Sequence, residues 1–170
     1  MTQTSAKSAP LPFTDSMFYM WRCVIAVAHA DGVLHEKESE MFNKVFASLE
    51  KSYALTDEHV GTFTKDIAVK QDINTLLPKI TDPECRALLL FFAQITASVD
   101  GVLAYDEATL VGRLHGKIGS SPDTRDRVAE IRRELADRIK NRSAPSNPAR
   151  NPIYDALDAL LLRLGVDPVE

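Results

Sequence analysis

One stretch of this chain occurs twice, offset by 69 residues. Ala28-His29-Ala30-Asp31-Gly32-Val33-Leu34-His35-Glu36-Lys37-Glu38 aligns with Ala97-Ser98-Val99-Asp100-Gly101-Val102-Leu103-Ala104-Tyr105-Asp106-Glu107, and six of those eleven positions are identical. Self-similarity at a fixed offset is the mark of a fold assembled from repeated units. Each copy joins two apolar stretches with helical periodicity, and each is followed by a matching stripe, Met41-Phe42 in one and Leu110-Val111 in the other. The unit is therefore a helix, an Asp-Gly turn and a second helix, in which Gly takes the left-handed position that closes the first helix.

The other elements follow from periodicity and punctuation. A first helix is expected from Asp15 as N-cap, with Met17, Trp21, Val24, Ile25 and Ala28 on one face, ending at Asp31-Gly32. A second spans Glu36 to Ser52, with Met41, Phe42, Val45 and Leu49 inward. Thr56 or Asp57 caps a third that carries Val60, Phe63 and Ile67, and a short helix from Asp72 to Leu77 stops at Pro78. Asp82-Pro83-Glu84 is a strong start signal for an apolar central helix, which runs to Asp100-Gly101. A sixth helix follows from Asp106 to Ile118, and Ser121-Pro122-Asp123 opens a seventh with Val128, Ile131, Leu135 and Ile139 as its stripe. No segment alternates with period two. The expected fold is all-α, a seven- to eight-helix bundle.

The domain plan has a disordered lead at 1–13 and a helical domain at 14–141, with repeat units at about 15–52 and 83–118. Residues 142–152 hold three prolines and almost nothing apolar, so they read as a linker. An amphipathic helix at 153–165 ends the pattern, with Ile153, Leu157, Leu160, Leu161 and Leu164 as its apolar face. That face either docks back on the core or binds a protein partner or a second copy of the chain, as helix-in-groove recognition does.

Composition excludes some functions. A net charge of −4 and a pI near 5.6 argue against nucleic acid, which calls for a basic stripe. The two cysteines, Cys23 and Cys85, lie far apart in apolar stretches and form no CxxC, so they read as small buried hydrophobes in a reducing, cytoplasmic setting. Residues 1–12 lack the apolar region of a secretory leader, and the apolar run from Ala87 to Val99 is shorter than the ~20 residues that span a bilayer. Helix seven interleaves acids with arginines, and Asp123 with Arg127 and Glu134 with Arg138 fit solvated i,i+4 pairs. The positive charge at Lys140, Arg142 and Arg150 would favour an acidic partner or a membrane surface. No GxSxG, Walker A, GxGxxG or HExxH motif occurs, and no nucleophile or general base declares itself; a metal-dependent hydrolase is the weakest reading.

The repeated unit carries the chemistry. In each copy a Glu stands seven residues after the Asp, so both carboxylates can face one turn. Two units packed about a pseudo-twofold would gather Asp31, Glu38, Asp100 and Glu107. Two carboxylates ~4 Å apart repel by about 4 kcal/mol at an effective dielectric of 20. A hard cation such as Mg²⁺, Ca²⁺ or Mn²⁺ would offset that. The alternative is that Glu38 and Glu107 cap helices or suit their dipoles and that Asp-Gly is ordinary turn chemistry. His29 and His35 flank Asp31, and both fit exposed or capping roles as well as a mixed metal site. A standard EF-hand is excluded, since the positions of its first charged ligands hold Val27 and His29 in one copy and Thr96 and Ser98 in the other.

The pattern of an apolar helix ending in Asp-Gly-Val-Leu, with Glu seven residues after the Asp, resembles the TerB family of tellurite-resistance proteins. It also resembles the TerB-like region of a membrane-anchored J-domain co-chaperone. The likeness spans about residues 15 to 135 and includes Ile118-Gly119-Ser120-Ser121-Pro122. It implies a pseudo-twofold helical fold and an acidic cluster for divalent metal, carried onto Asp31, Glu38, Asp100 and Glu107. It further implies a stress-response or tellurite-related assembly at the inner face of a membrane. The chain departs from the pattern at His35 and Ala104, where many relatives carry a polar cap, and the last helix lies outside it.

Overall fold

The computed structural model describes residues 10–30, 34, 36–98, 105–118, 121–140 and 159–163. Its elements are α1 (Asp15–Ala28), α2 (Glu36–Ser52), α3 (Asp57–Ala68), α4 (Ile73–Leu76) with a 3-10 turn at Leu77–Lys79, α5 (Pro83–Ser98), α6 (Tyr105–Ile118) and α7 (Pro122–Lys140). A further helical turn covers 159–163. The fold is all-α, and no strand occurs among the described residues.

Two helices with almost no polar face make the centre. Every residue of α1 from Cys23 to Ala28 is buried, and so are Cys85, Ala87 to Leu90, Phe92 and Ala93 of α5. A helix apolar all round must be surrounded. α1 and α5 accordingly pack along one another, and the Trp21 and Phe92 rings meet at 4.5 Å. The other helices add apolar side chains to the core of which this pair is the centre. α2 supplies Met41, Phe42, Val45 and Leu49, α6 supplies Val111, Leu114 and Ile118, and α7 supplies Ile131.

The starts of the helices are set by side-chain caps. Thr14, not Asp15, caps α1: its hydroxyl accepts from the Met17 N–H at 3.2 Å, which places Asp15 in the first turn where its charge suits the dipole. At α3, Thr56 accepts from the His59 N–H while His59 Nδ1 accepts from the Thr56 N–H, a reciprocal box closed by histidine instead of Glu or Gln. Asp82 Oδ1 accepts from the Glu84 N–H at the start of α5. The buried Ser16 hydroxyl of α1 accepts from the Thr81 and Asp82 N–H groups, tying the two central helices at their N-terminal ends. Pro78 lies within the 3-10 turn that extends α4 and does not end the helix outright.

Part of the expected lead is held. Leu11 bridges the backbone of Tyr53, its N–H donating to the Ser52 carbonyl and its own carbonyl accepting from Ala54. Phe13 packs edge-on against Tyr53, His59 and Phe63. Residues 11–13 therefore belong to the packed domain, because the aromatic side chain finds a pocket at the end of α2. The linker at 142–152 lies outside the described residues, as does most of the last helix. Among the described residues no helix is long and apolar enough to cross a membrane.

Candidate functional site

The described helix boundaries place the repeated acids at equivalent positions. α2 begins at Glu36 and α6 at Tyr105, again 69 residues apart, so Glu38 and Glu107 are each the third residue of a helix. Asp31 and Asp100 lie outside the described residues, as does the side chain of Glu107 and as do His35 and Ala104. Among the described side chains, no three of His, Cys, Asp and Glu cluster as metal ligands do.

Glu38 is the described member of the set, and its side chain is not where a solvated first-turn acid belongs. It is 1% exposed, whereas Glu36 and Glu40 on the same helix are exposed. Moving a carboxylate out of water is expensive and survives only where dipoles, hydrogen bonds or a cation compensate it. The N-terminus of α2 supplies one such dipole.

The end of α1, which leads to Asp31, is fixed by a polar contact to α3. His29 is the C-cap of α1 and is buried. Its Nε2 lies 3.0 Å from the Asp66 carbonyl and 2.9 Å from the Ile67 carbonyl. Carbonyl oxygens only accept, so Nε2 carries the hydrogen and donates to both. His29 thus takes the capping position expected of it, but its ring is buried and not exposed: it tethers α1 to α3, and its Nε2 is committed to the backbone.

Asp66 is also the partner of Arg22. The Arg22 Nε donates to Oδ2 at 2.7 Å and Nη2 to Oδ1 at 3.2 Å, a two-pronged pair in which Asp66 is 1% exposed and Arg22 17%. The hydrogen bonds to Asp66 raise the Arg22 guanidinium above its ordinary value, against the opposing effect of burial. Phe18 and Tyr19 flank the guanidinium at 5.6 and 5.9 Å. Asp66 thus reaches α1 twice, through its carboxylate and through its carbonyl. Sequence reasoning missed this pair; the available signal was Arg22 within an otherwise apolar helix and Asp66 three residues after Phe63.

Both cysteines are free and buried. Burial pushes the Cys23 thiol up to about 12 and moves Cys85 higher still, with the Asp82 charge and hydrogen bond adding to the second. Such thiols are poor nucleophiles and poor metal ligands at neutral pH.

Of the apolar face assigned to the last helix, Leu160 and Leu161 are fully buried in the chain's own core. Ile153, Leu157 and Leu164 lie outside the described residues. Arg163 follows, reaching Glu84 of α5 at 2.6 Å through Nε, Glu130 of α7 at 3.3 Å through Nη2, and Glu134 of α7 through Nη1. These acids hold the Arg163 proton more tightly than usual, the hydrogen bonds it donates to Glu84 contributing most. Of the two i,i+4 pairs expected on α7, the one between Asp123 and Arg127 gives way to other partners, and the Arg138 side chain of the second lies outside the described residues. Arg127 lies 3.8 Å from Glu84 and 3.8 Å from Glu130 instead of pairing with Asp123, and Glu134 faces Arg163.

A groove of about 370 Å³ opens between α2 and α3, lined by Phe46, Leu55, Phe63 and Ile67 together with Asn43 and Glu50. The chain matches no family model, no curated protein and no solved structure.

Proposed function

We propose that this chain is a divalent-cation-binding module on a TerB-like helical scaffold, with Asp31, Glu38, Asp100 and Glu107 as the cation ligands. What supports this is the burial of Glu38 at 1% exposure in the first turn of α2. A carboxylate there only to suit the helix dipole gains nothing by leaving water, whereas a ligand must face inward. The equivalent helical positions of Glu38 and Glu107 add support, since a site shared between two units needs its ligands in matching places. Oxygen-only ligands favour Mg²⁺, Ca²⁺ or Mn²⁺ over softer metals. We assign no catalytic residue. The module would serve within a stress-response or membrane-associated assembly, in the cytoplasm, with a protein as its partner.

The test is the melting temperature of the chelator-stripped protein against Mg²⁺, Ca²⁺, Mn²⁺ and Zn²⁺, beside the Asp31→Asn, Asp100→Asn double variant. Cation at 100 times its Kd adds about 2.7 kcal/mol, and each kcal/mol moves a domain of this size by roughly 2–4 °C. The expected result is a rise with a hard cation that the double variant loses. A flat response to every cation would overturn the proposal.

A second reading is a metal-free scaffold that binds a protein partner. The apolar groove between α2 and α3 favours it, because it offers aromatic walls without any cluster of reactive groups. That reading expects a partner that survives the Asp31→Asn, Asp100→Asn changes.

A further inference from the structure

The groove between α2 and α3 has a fixed aromatic floor. Each helix turns one stripe to the gap, Asn43, Phe46 and Glu50 on α2 and Val60, Phe63 and Ile67 on α3, all at helical spacing. Asn43 and Glu50 stand two helical turns apart on one face, a rise of about 10 Å. Between them, Phe46 and Phe63 lie parallel at 4.7 Å with 4° between their planes, and Phe42 stacks on Phe46 at 5.9 Å. Phe63 is buried and Phe46 half-buried. A ring held by two others is set before anything binds, as the walls of ligand pockets usually are.

The polar groups of the groove are unevenly placed. The α3 wall is apolar in effect, because its Thr64 hydroxyl already donates to the Val60 carbonyl. On the α2 wall, Glu50 is the one ionisable group among the described lining residues. Its exposed carboxylate has neither a hydrogen bond nor an ion pair among the described residues. No lysine or arginine lines the groove, so its complement is a positive charge beside an apolar body. Volume sets the scale: about 370 Å³ lies at the small end of ligand pockets. Two turns of α-helix, about 10 Å across, would fill roughly 850 Å³. A docked helix would stand mostly outside the groove, whereas a small molecule is enclosed by it.

We propose that the α2–α3 groove binds a small organic ammonium ion with a flat apolar body. The body lies on the Phe46–Phe63 floor and the ammonium group meets Glu50. Apolar burial supplies the affinity, since apolar surface leaving water is the dominant favourable term in such a site. Glu50 supplies the preference for positive charge, and an exposed ion pair is worth up to about fivefold in binding. This stands whether or not the repeated acids hold a metal ion. It differs from the protein-partner reading in what fills the groove.

Calorimetric titration of the full chain with three probes that share one body tests this: naphthylethylamine, naphthylethanol and naphthylacetate. The amine gains the ion pair where the acid meets repulsion, so it is expected to bind about tenfold more tightly than the acid, with the alcohol between them. Glu50→Gln should bring the three affinities together, which separates the groove from the general attraction of an acidic chain for cations. Ala47→Phe, at an exposed position of α2 that lines the groove, should fill it and abolish binding of all three. Equal affinity for amine and acid, a preference that survives Glu50→Gln, or binding that survives Ala47→Phe would overturn the proposal. So would the failure of every probe to bind at millimolar concentration, which would leave the groove to an inserted side chain of a protein.

Discussion

Arg22 and Arg163 each join an outlying element to the central helices, and they do so in opposite ways. Arg22 meets one carboxylate, Asp66, in a two-pronged contact walled by Phe18 and Tyr19, with the acid 1% exposed. Arg163 meets three carboxylates on two helices, one of them half exposed. A one-to-one buried pair is charge-balanced and shielded, so it acts as a permanent joint. The cluster of acids around Arg163, with Arg127 3.8 Å from two of them, lies at the margin where salt screens it, so it acts as a clasp. The first joint also carries His29, and with it the C-terminal end of α1. The second governs only the C-terminal segment.

The sharpest way to break this contrast is at Asp66. Asp66→Ala leaves the partly buried Arg22 charge beside aromatic rings without its partner, and with Arg22 in reach of water the loss should fall at the low end of the cost of breaking a buried pair, about 3 kcal/mol. Urea denaturation should show that loss nearly unchanged between low and high salt. The double change Arg22→Met, Asp66→Leu should recover most of it, because apolar groups of similar size replace such pairs at little cost. Failure of the double variant to recover would mean that the pair positions the chain in a way packing alone does not.

Cys23, next to Arg22, reports how dry that side is. In the unfolded chain its thiol loses a proton near pH 9, while the folded chain holds it to about pH 12. Between those values the unfolded state binds fewer protons, so stability falls as pH rises. Each of the two buried thiols contributes a slope that approaches roughly 1.4 kcal/mol per pH unit, so Cys23→Ala should remove about that much of the slope in urea titrations taken at increasing pH, and Cys85 should keep its own share.

At the other joint, Arg163→Ala should cost about 1–3 kcal/mol. Unlike the Asp66 effect, it should shrink as salt is raised. Equal salt sensitivity at the two sites would erase the distinction between joint and clasp. The smallest expected effect is that of Thr14→Ala, a lost N-cap worth about 1 kcal/mol. It should leave both arginine contacts intact and so serves as the control for general loosening of α1.

The helices were legible in the chain because their signals are local. Asp82-Pro83-Glu84 and Thr56 mark starts by chemistry that acts within one turn, and the stripe of α2 follows the period of its own helix. Thr14 was missed for the opposite reason: Thr and Asp stand side by side, and only the path of the backbone decides which reaches the first free N–H. Val60, expected inward, is 36% exposed, because α3 turns Phe63 and Asp66 toward α1 and leaves Val60 lining the groove. Arg22 with Asp66 and Arg163 with Glu84 join residues 44 and 79 positions apart. No periodicity encodes such pairings; they appear only once helices are packed. Of the proposed acidic set, only Glu38 has a described side chain to compare with the sequence. The spacing picked out Glu38 and its repeat, but spacing alone does not distinguish a first-turn acid facing water from one facing the core.

That difference makes Glu38→Gln the most direct test. The measurement is the unfolding free energy of Glu38→Gln and of the unaltered chain, each chelator-stripped and each with saturating Mg²⁺, Ca²⁺ or Mn²⁺. If Glu38 faces inward as a cation ligand, removing its charge should raise cation-free stability and abolish the gain on adding cation. If Glu38 → Gln lowers cation-free stability and leaves any cation response unchanged, the carboxylate serves the helix end, and the proposed metal site is contradicted.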